Sequence, residues 1–180
     1  FNGEIYNFHE LRSHLSSLGY HFRSRCDTEV LLNSWSEWGI ECLSKLDGMF
    51  AFCVFDSFDN TLTLVRDSFG IKPLYYFSSP SELAFSSEIY SLLSSLNLPR
   101  IINHDISLSY LFEGTYDRSP QTFFKNVNRL MPGYLIQFSL DTLKVINHRP
   151  WYIPSIVQSS SFSYSQACEE FRHKFLESVR

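Results

Sequence analysis

The triplet Asn2-Gly3-Glu4 sets an amide side chain, an unhindered backbone N–H and a carboxylate on consecutive residues. An Asn-Gly pair is most often a plain turn, because both residues tolerate positive φ. The same pair can donate the Asn2 side-chain N–H and the Gly3 backbone N–H to a developing oxyanion, and Gly3 has no side chain to block the approach. Glu4 beside them could hold a cationic substrate group. A second candidate is RCDTEV, Arg25 to Val30. Asp27 can cap a helix there or bind an ammonium, and Cys26 can serve as a nucleophile or as a small buried residue. A third stretch, RDSFGIKPLYY from Arg66 to Tyr76, reads as a structural loop in which Arg66, Asp67 and Lys72 satisfy buried backbone groups. His9, His14, His21, His104, His148 and His173 fall at no metal-ligand spacing.

These residues need elements to hold them. Phe8, Leu11, Leu15 and Leu18 recur at helical spacing, with Asn7 and Glu10 spaced as a capping box and Gly19 as the stop. A second helix starts after Asp27, carries Val30, Leu31, Trp35 and Trp38, and stops at Gly39. MFAFCVFD, Met49 to Asp56, is an unbroken apolar run and predicts a strand covered on both faces. Asp59-Asn60 turns it into TLTLVR, its hairpin partner. Short strands are expected at Leu74–Phe77 and Leu83–Phe85, then a helix from Glu88 to Leu96 capped by Ser86 or Ser87. Asp105 can cap a further helix that runs to Phe112. GYLIQFSL and LKVINH read as a closing pair of strands after the Pro132-Gly133 turn. From Ser155 to Ser165 the chain is serine-rich and reads as a linker, followed by a helix with Ala167, Phe171, Phe175 and Val179 on one face. The order is α+β and layered.

Composition narrows the classes. In 180 residues, 44% hydrophobic and 17% aromatic content can build a core and argues against global disorder. A net charge of -4 and the lack of an arginine-rich run argue against nucleic acid as a partner. Cys26, Cys42, Cys53 and Cys168 form no C-x-x-C pair, so zinc and a disulfide framework are poor readings and reduced thiols of a cytoplasmic protein fit better. No stretch approaches the ~18 apolar residues that a membrane helix needs.

Taken together, FNGEIYN, CDTEVLL, LDGMFAFCVFD, RDSFGIKPLYY, AFSSEIYSLL and RLMPGYLI resemble the glutaminase half of the asparagine synthetases, a branch of the class II glutamine amidotransferases. The resemblance runs from Phe1 to about Tyr152. It implies an Ntn-hydrolase-type αββα sandwich, N-terminally truncated, over residues 1–152, with residues 153–180 as linker and first helix of a synthetase domain. It also implies an N-terminal cysteine thiolate that attacks the side-chain amide of glutamine, its own α-amino group acting as base. Asn2 (side chain) and Gly3 (backbone) then form the oxyanion hole, and Glu4 and Asp27 lie on the α-ammonium side of the glutamine. None of the four cysteines is N-terminal and the arginine clamping the glutamine carboxylate precedes NGE in that family. The chain is therefore expected to be an internal fragment, inactive by itself and exposing apolar edges along Met49–Asp56.

On the same resemblance, no cofactor is expected in this fragment; ATP and magnesium belong to the synthetase domain, whose SGGxDS loop does not occur here. The expected partners are glutamine and that domain, and a homodimer of the full-length protein is compatible with them. Two rival readings remain: an amidotransferase with another acceptor, and a non-catalytic scaffold of the same fold.

Overall fold

The computed structural model describes residues 1–155 and 163–179. The chain begins with strand β1 (Asn2–Ile5), helix α1 (Phe8–Ser17), helix α2 (Asp27–Trp38) and a 3-10 segment, Gly39–Lys45. A long hairpin follows, β2 (Gly48–Asp56) with β3 (Thr61–Arg66), and then a short one, β4 (Tyr75–Ser78) with β5 (Leu83–Ser86). Helices α3 (Ile89–Ser95) and α4 (His104–Glu113) precede β6 (Asn128–Arg129), β7 (Tyr134–Ser139) and β8 (Val145–Pro150), and α5 (Tyr164–Ser178) comes last. The strands form a five-stranded sheet in the order β1-β2-β3-β7-β8 and a three-stranded sheet in the order β5-β4-β6.

Alternation along the strands divides the apolar residues into layers. Phe50 and Phe52 of β2 face α1 and α2, where they join Ile5, Leu11, Leu15, Val30, Leu31, Val65 and Leu135. Ala51, between them, faces the opposite way and packs with Leu64, Ile136 and Phe138 against Tyr76 of the smaller sheet and the flanking Leu74 and Leu130. On that sheet's far side, Tyr75 and Ala84 meet Leu92 and Leu93 of α3. Helices, sheet, sheet and helix thus stack in the αββα order. The expected two-sided burial of Met49–Asp56 holds for Phe50, Ala51 and Phe52 and ends before Phe55, which is exposed.

Among the described residues, strand β1 lies at the edge of its sheet and pairs only with Gly48–Ala51. Over Phe52–Asp56, β2 has β3 on one side and, among the described residues, no strand on the other.

The RDSFGIKP stretch frames the middle of the molecule. The buried Asp67 carboxylate accepts from three backbone N–H groups, those of Phe69 at 3.1 Å, Ile71 at 2.9 Å and Lys72 at 2.9 Å. Arg66 donates to the carbonyls of Lys72 (2.8 Å), Leu130 (2.8 Å) and Gly70 (2.7 Å). Gly70, at φ +67°, lies where a Cβ would come 2.7 Å from Pro132 Cγ, so the loop closes tightly on the Pro132-Gly133 turn. Trp151 seals the frame, donating its indole N–H to the Arg66 carbonyl at 3.0 Å and stacking on Phe50. The structural reading of the loop is right for Arg66 and Asp67. Lys72 takes part through its backbone, not its ammonium.

Several expected caps are corrected. Asn7 stands at the start of α1 but caps nothing with its side chain. Its amide instead accepts from Asp47 N–H at 3.0 Å and donates to the Lys45 carbonyl at 2.9 Å, clamping β1 to the segment before β2. Cys26, not Asp27, is the N-cap position of α2, and Asn103, not Asp105, is that of α4. Glu88 takes that place for α3, while Ser86 accepts the Glu88 N–H at 3.1 Å. Of the serine-rich stretch, residues 156–162 lie outside the described residues. Ser163 is the side-chain cap of α5, in a capping box with Gln166, so the helix begins inside the expected linker.

Candidate active site

The site is built on the free edge of β1. Tyr6 N–H donates to the Asp47 carbonyl on the β2 side, whereas Ile5 N–H points the other way and donates to Asp27 Oδ2 at 3.1 Å. Backbone N–H groups alternate in direction along an antiparallel edge strand. Gly3 therefore turns its N–H outward, to the same side as Ile5. Glycine is required here by space as well. Gly3 sits at φ +153°, and a Cβ would overlap the Met49 carbonyl oxygen and lie 2.6 Å from Phe50 Cα. Gly3→Ala is expected to destabilise the chain by about 1–3 kcal/mol through strain and overpacking. A thermal melt checks this; an unchanged midpoint would mean that β1 does not sit this close to β2.

Asp27 is the first residue of α2, and its carboxylate reaches across to β1. Among the described residues, its second oxygen has only a long contact, 3.4 Å, from Thr28 Oγ1. The loop before it is held by Glu29. That carboxylate is pulled down to about 2 by the Arg23 N–H, then by the Ser24 hydroxyl and N–H, which lie at 2.8, 2.6 and 2.7 Å. A cavity of about 350 Å³ opens between β1 and the start of α2, lined by Gly3, Glu4, Ile5, Phe8, Arg25, Cys26 and Asp27. Asn2 looks into a neighbouring cavity of about 240 Å³ at the ends of the two sheets. Its side-chain Nδ2 donates to Ser87 Oγ at 3.0 Å. The structure thus gathers Gly3, Glu4 and Asp27 around one opening, with Asn2 on the adjacent one. Ser87 was read from the sequence only as a possible helix cap; the one hint of more was its place in AFSSEI.

The cysteines separate by environment. Cys42 is buried and its thiol is pushed up to about 12, and Cys53 is pushed up to about 11, in both cases by burial. Cys26 is exposed, so it is not a buried filler, and a hydrogen bond with the Ser24 hydroxyl at 2.9 Å draws its thiol below the ordinary range. The thiolate is the reactive form. At pH 7.5 a maleimide is expected to label Cys26 at least about 20-fold faster than Cys53. Peptide mass spectrometry over time reads the order, and equal rates would contradict these surroundings. Among the described residues, no group of three His, Cys, Asp or Glu side chains is arranged to hold a metal ion, and no helix is long and apolar enough to cross a membrane.

Two antiparallel sheets between helical layers, with the candidate donors on an exposed strand edge, make an αββα sandwich of the Ntn-hydrolase type. The solved glutamine phosphoribosylpyrophosphate amidotransferase of B. subtilis, complexed with ADP and GMP, shares this fold at a TM-score of 0.56 and 17% identity, covering 85% of this chain and 28% of that one. The chain belongs to the family described as "Glutamine amidotransferase domain", which matches residues 1–152. It is 36% identical to the protein named asparagine synthetase [glutamine-hydrolyzing] 3 of Bacillus subtilis (strain 168), over 90% of this chain and 26% of the relative. The protein named asparagine synthetase [glutamine-hydrolyzing] 1 of the same organism is 41% identical over 74% of this chain and 21% of the relative. A putative asparagine synthetase [glutamine-hydrolyzing] 2 of Methanocaldococcus jannaschii is 33% identical over 86% of this chain and 30% of its own length. The chain thus spans about a quarter of the length of the relatives it matches.

Proposed function

We propose that this domain binds glutamine at the edge of β1 and releases ammonia from its side-chain amide. The observation that carries the reading is the outward Gly3 N–H, on the same strand edge as the Ile5 N–H that Asp27 accepts. A thiolate attacking the glutamine Cδ forms a C–S bond and moves the carbonyl electrons onto oxygen. Gly3 N–H and an Asn2 amide N–H stabilise that oxyanion, worth a factor of about 10²–10³ for each donor. The α-ammonium is held by Asp27 and Glu4. Collapse of the intermediate expels the amide nitrogen as ammonia once it has been protonated, and water then releases glutamate from the thioester.

By analogy with the named relatives, the ammonia would amidate aspartate to asparagine in a synthetase portion outside these 180 residues, where ATP and magnesium would act. Residues 153–180 would be the linker and first helix leading to it. The nucleophile is assigned to an N-terminal cysteine outside the chain, so the 180-residue chain alone is expected to release no glutamate from glutamine. Cys26 supports the competing assignment, since it lines the same cavity with a depressed thiol. Turnover by the isolated chain that is abolished in Cys26→Ser would make Cys26 the nucleophile.

The test of the function uses the full-length protein with glutamine, aspartate, ATP and magnesium. Glutamate and asparagine are expected to form together. Glutamate without asparagine would point to another acceptor, and no glutamate at all would point to a non-catalytic scaffold.

A further inference from the structure

We infer that Ser87 is a positioning residue for the oxyanion hole, restraining the Asn2 carboxamide where its N–H can meet the reacting glutamine. The inference rests on the glutaminase reading above. Asn2 is exposed at the end of an edge strand, where an amide is free to turn. A carboxamide rotates about a broad, roughly two-fold torsion. In one orientation it offers N–H donors; in the other it offers its carbonyl oxygen, which repels an oxyanion.

In the structure the Asn2 carboxamide is held in the first of these orientations, with the Ser87 hydroxyl as its acceptor. Its Oγ accepts one of the two N–H bonds of Asn2 Nδ2 at 3.0 Å, across 85 residues of sequence. The second N–H, on the same planar nitrogen, stays available to a ligand. Ser87 is itself anchored. It follows Ser86, which pairs with Tyr75 in the β4–β5 ladder, and the Ser86 hydroxyl accepts the Glu88 N–H at 3.1 Å to set the turn into α3. The contact joins the edge of the five-stranded sheet to the smaller sheet, so the donor is held by both sheets. A donor oriented before the charge develops needs no reorganisation at the moment of reaction.

The experiment compares wild type, Ser87→Ala and Ser87→Thr in the full-length protein, with glutamine and then with free ammonium as nitrogen source. Ser87→Ala is expected to lower the glutamine-dependent kcat by about 5- to 20-fold with KM within about twofold, less than the ~10²–10³-fold that loss of a donor costs. Ser87→Thr, which keeps the hydroxyl, is expected to recover most of that loss. Ammonium-dependent synthesis is expected to stay the same in all three, which excludes a general folding defect. A Ser87→Ala kcat equal to wild type overturns the inference, as does a loss equal with both nitrogen sources or one that Ser87→Thr does not recover. A wild type that uses ammonium but hydrolyses no glutamine overturns the functional reading, and this inference with it.

Discussion

Asp67→Asn is expected to destabilise the domain by about 3–5 kcal/mol. Asp67 is 1% exposed, and its carboxylate accepts three backbone N–H groups of the loop that follows it. Asparagine keeps the shape but turns an NH₂ toward some of those donors and deletes the charge. Arg66 next to it is 9% exposed, and burial already draws its guanidinium below the ordinary value while the Asp67 charge raises it. Removing one charge from a buried neighbouring pair leaves the other uncompensated, which is the costly case. At this chain length the cost corresponds to a melting midpoint lower by about 6–20 °C. Differential scanning calorimetry reads it directly. A drop of under about 2 °C would mean that the loop does not depend on this carboxylate.

The second large effect is kinetic. Asp27→Asn keeps an oxygen able to accept the Ile5 N–H, so the strand edge is expected to survive with a stability change of well under ~1 kcal/mol. It removes the negative charge facing the cavity beside Glu4. A charge-assisted contact of this kind is worth roughly 1.5–3 kcal/mol. Glutamine-dependent kcat/KM is therefore expected to fall by about 10- to 150-fold. Synthesis from free ammonium bypasses the glutamine cavity and is expected to stay near wild type. Equal glutamine kinetics for wild type and Asp27→Asn would leave Asp27 with only its structural bond to β1.

These two aspartates show what the sequence could and could not convey. The layers were legible because apolar residues recur at the right periods: Phe8, Leu11 and Leu15 on α1, and alternating Phe50, Ala51 and Phe52 on β2. The caps were misread. Asn7, Asp27 and Asp105 have the right residue types, but type alone does not tell whether a distant backbone group competes for the side chain. Asn7 found Lys45 and Asp47, and Asp27 found Ile5. The quoted stretches also divide into two jobs that look alike in one dimension. FNGEIYN, CDTEVLL and AFSSEI meet at the edge of β1, whereas RDSFGIKP and RLMPG close on each other as a frame. That division depends on the register of β1 against β2, which turns the Gly3 N–H outward, and no local pattern encodes it. Ser87 was missed for the same reason, its partner Asn2 lying 85 residues away.

The central claim is that glutamine sits on the free edge of β1. The most direct measurement is a crystal structure of the full-length protein with glutamine bound and its nucleophile silenced. The glutamine side-chain oxygen is predicted to lie about 2.7–3.1 Å from both Gly3 N and Asn2 Nδ2, the range of an oxyanion hole. Its α-ammonium is predicted within about 3.2 Å of an Asp27 carboxylate oxygen. Glutamine seated away from β1, with Gly3 N–H and Asp27 both untouched, would contradict the account.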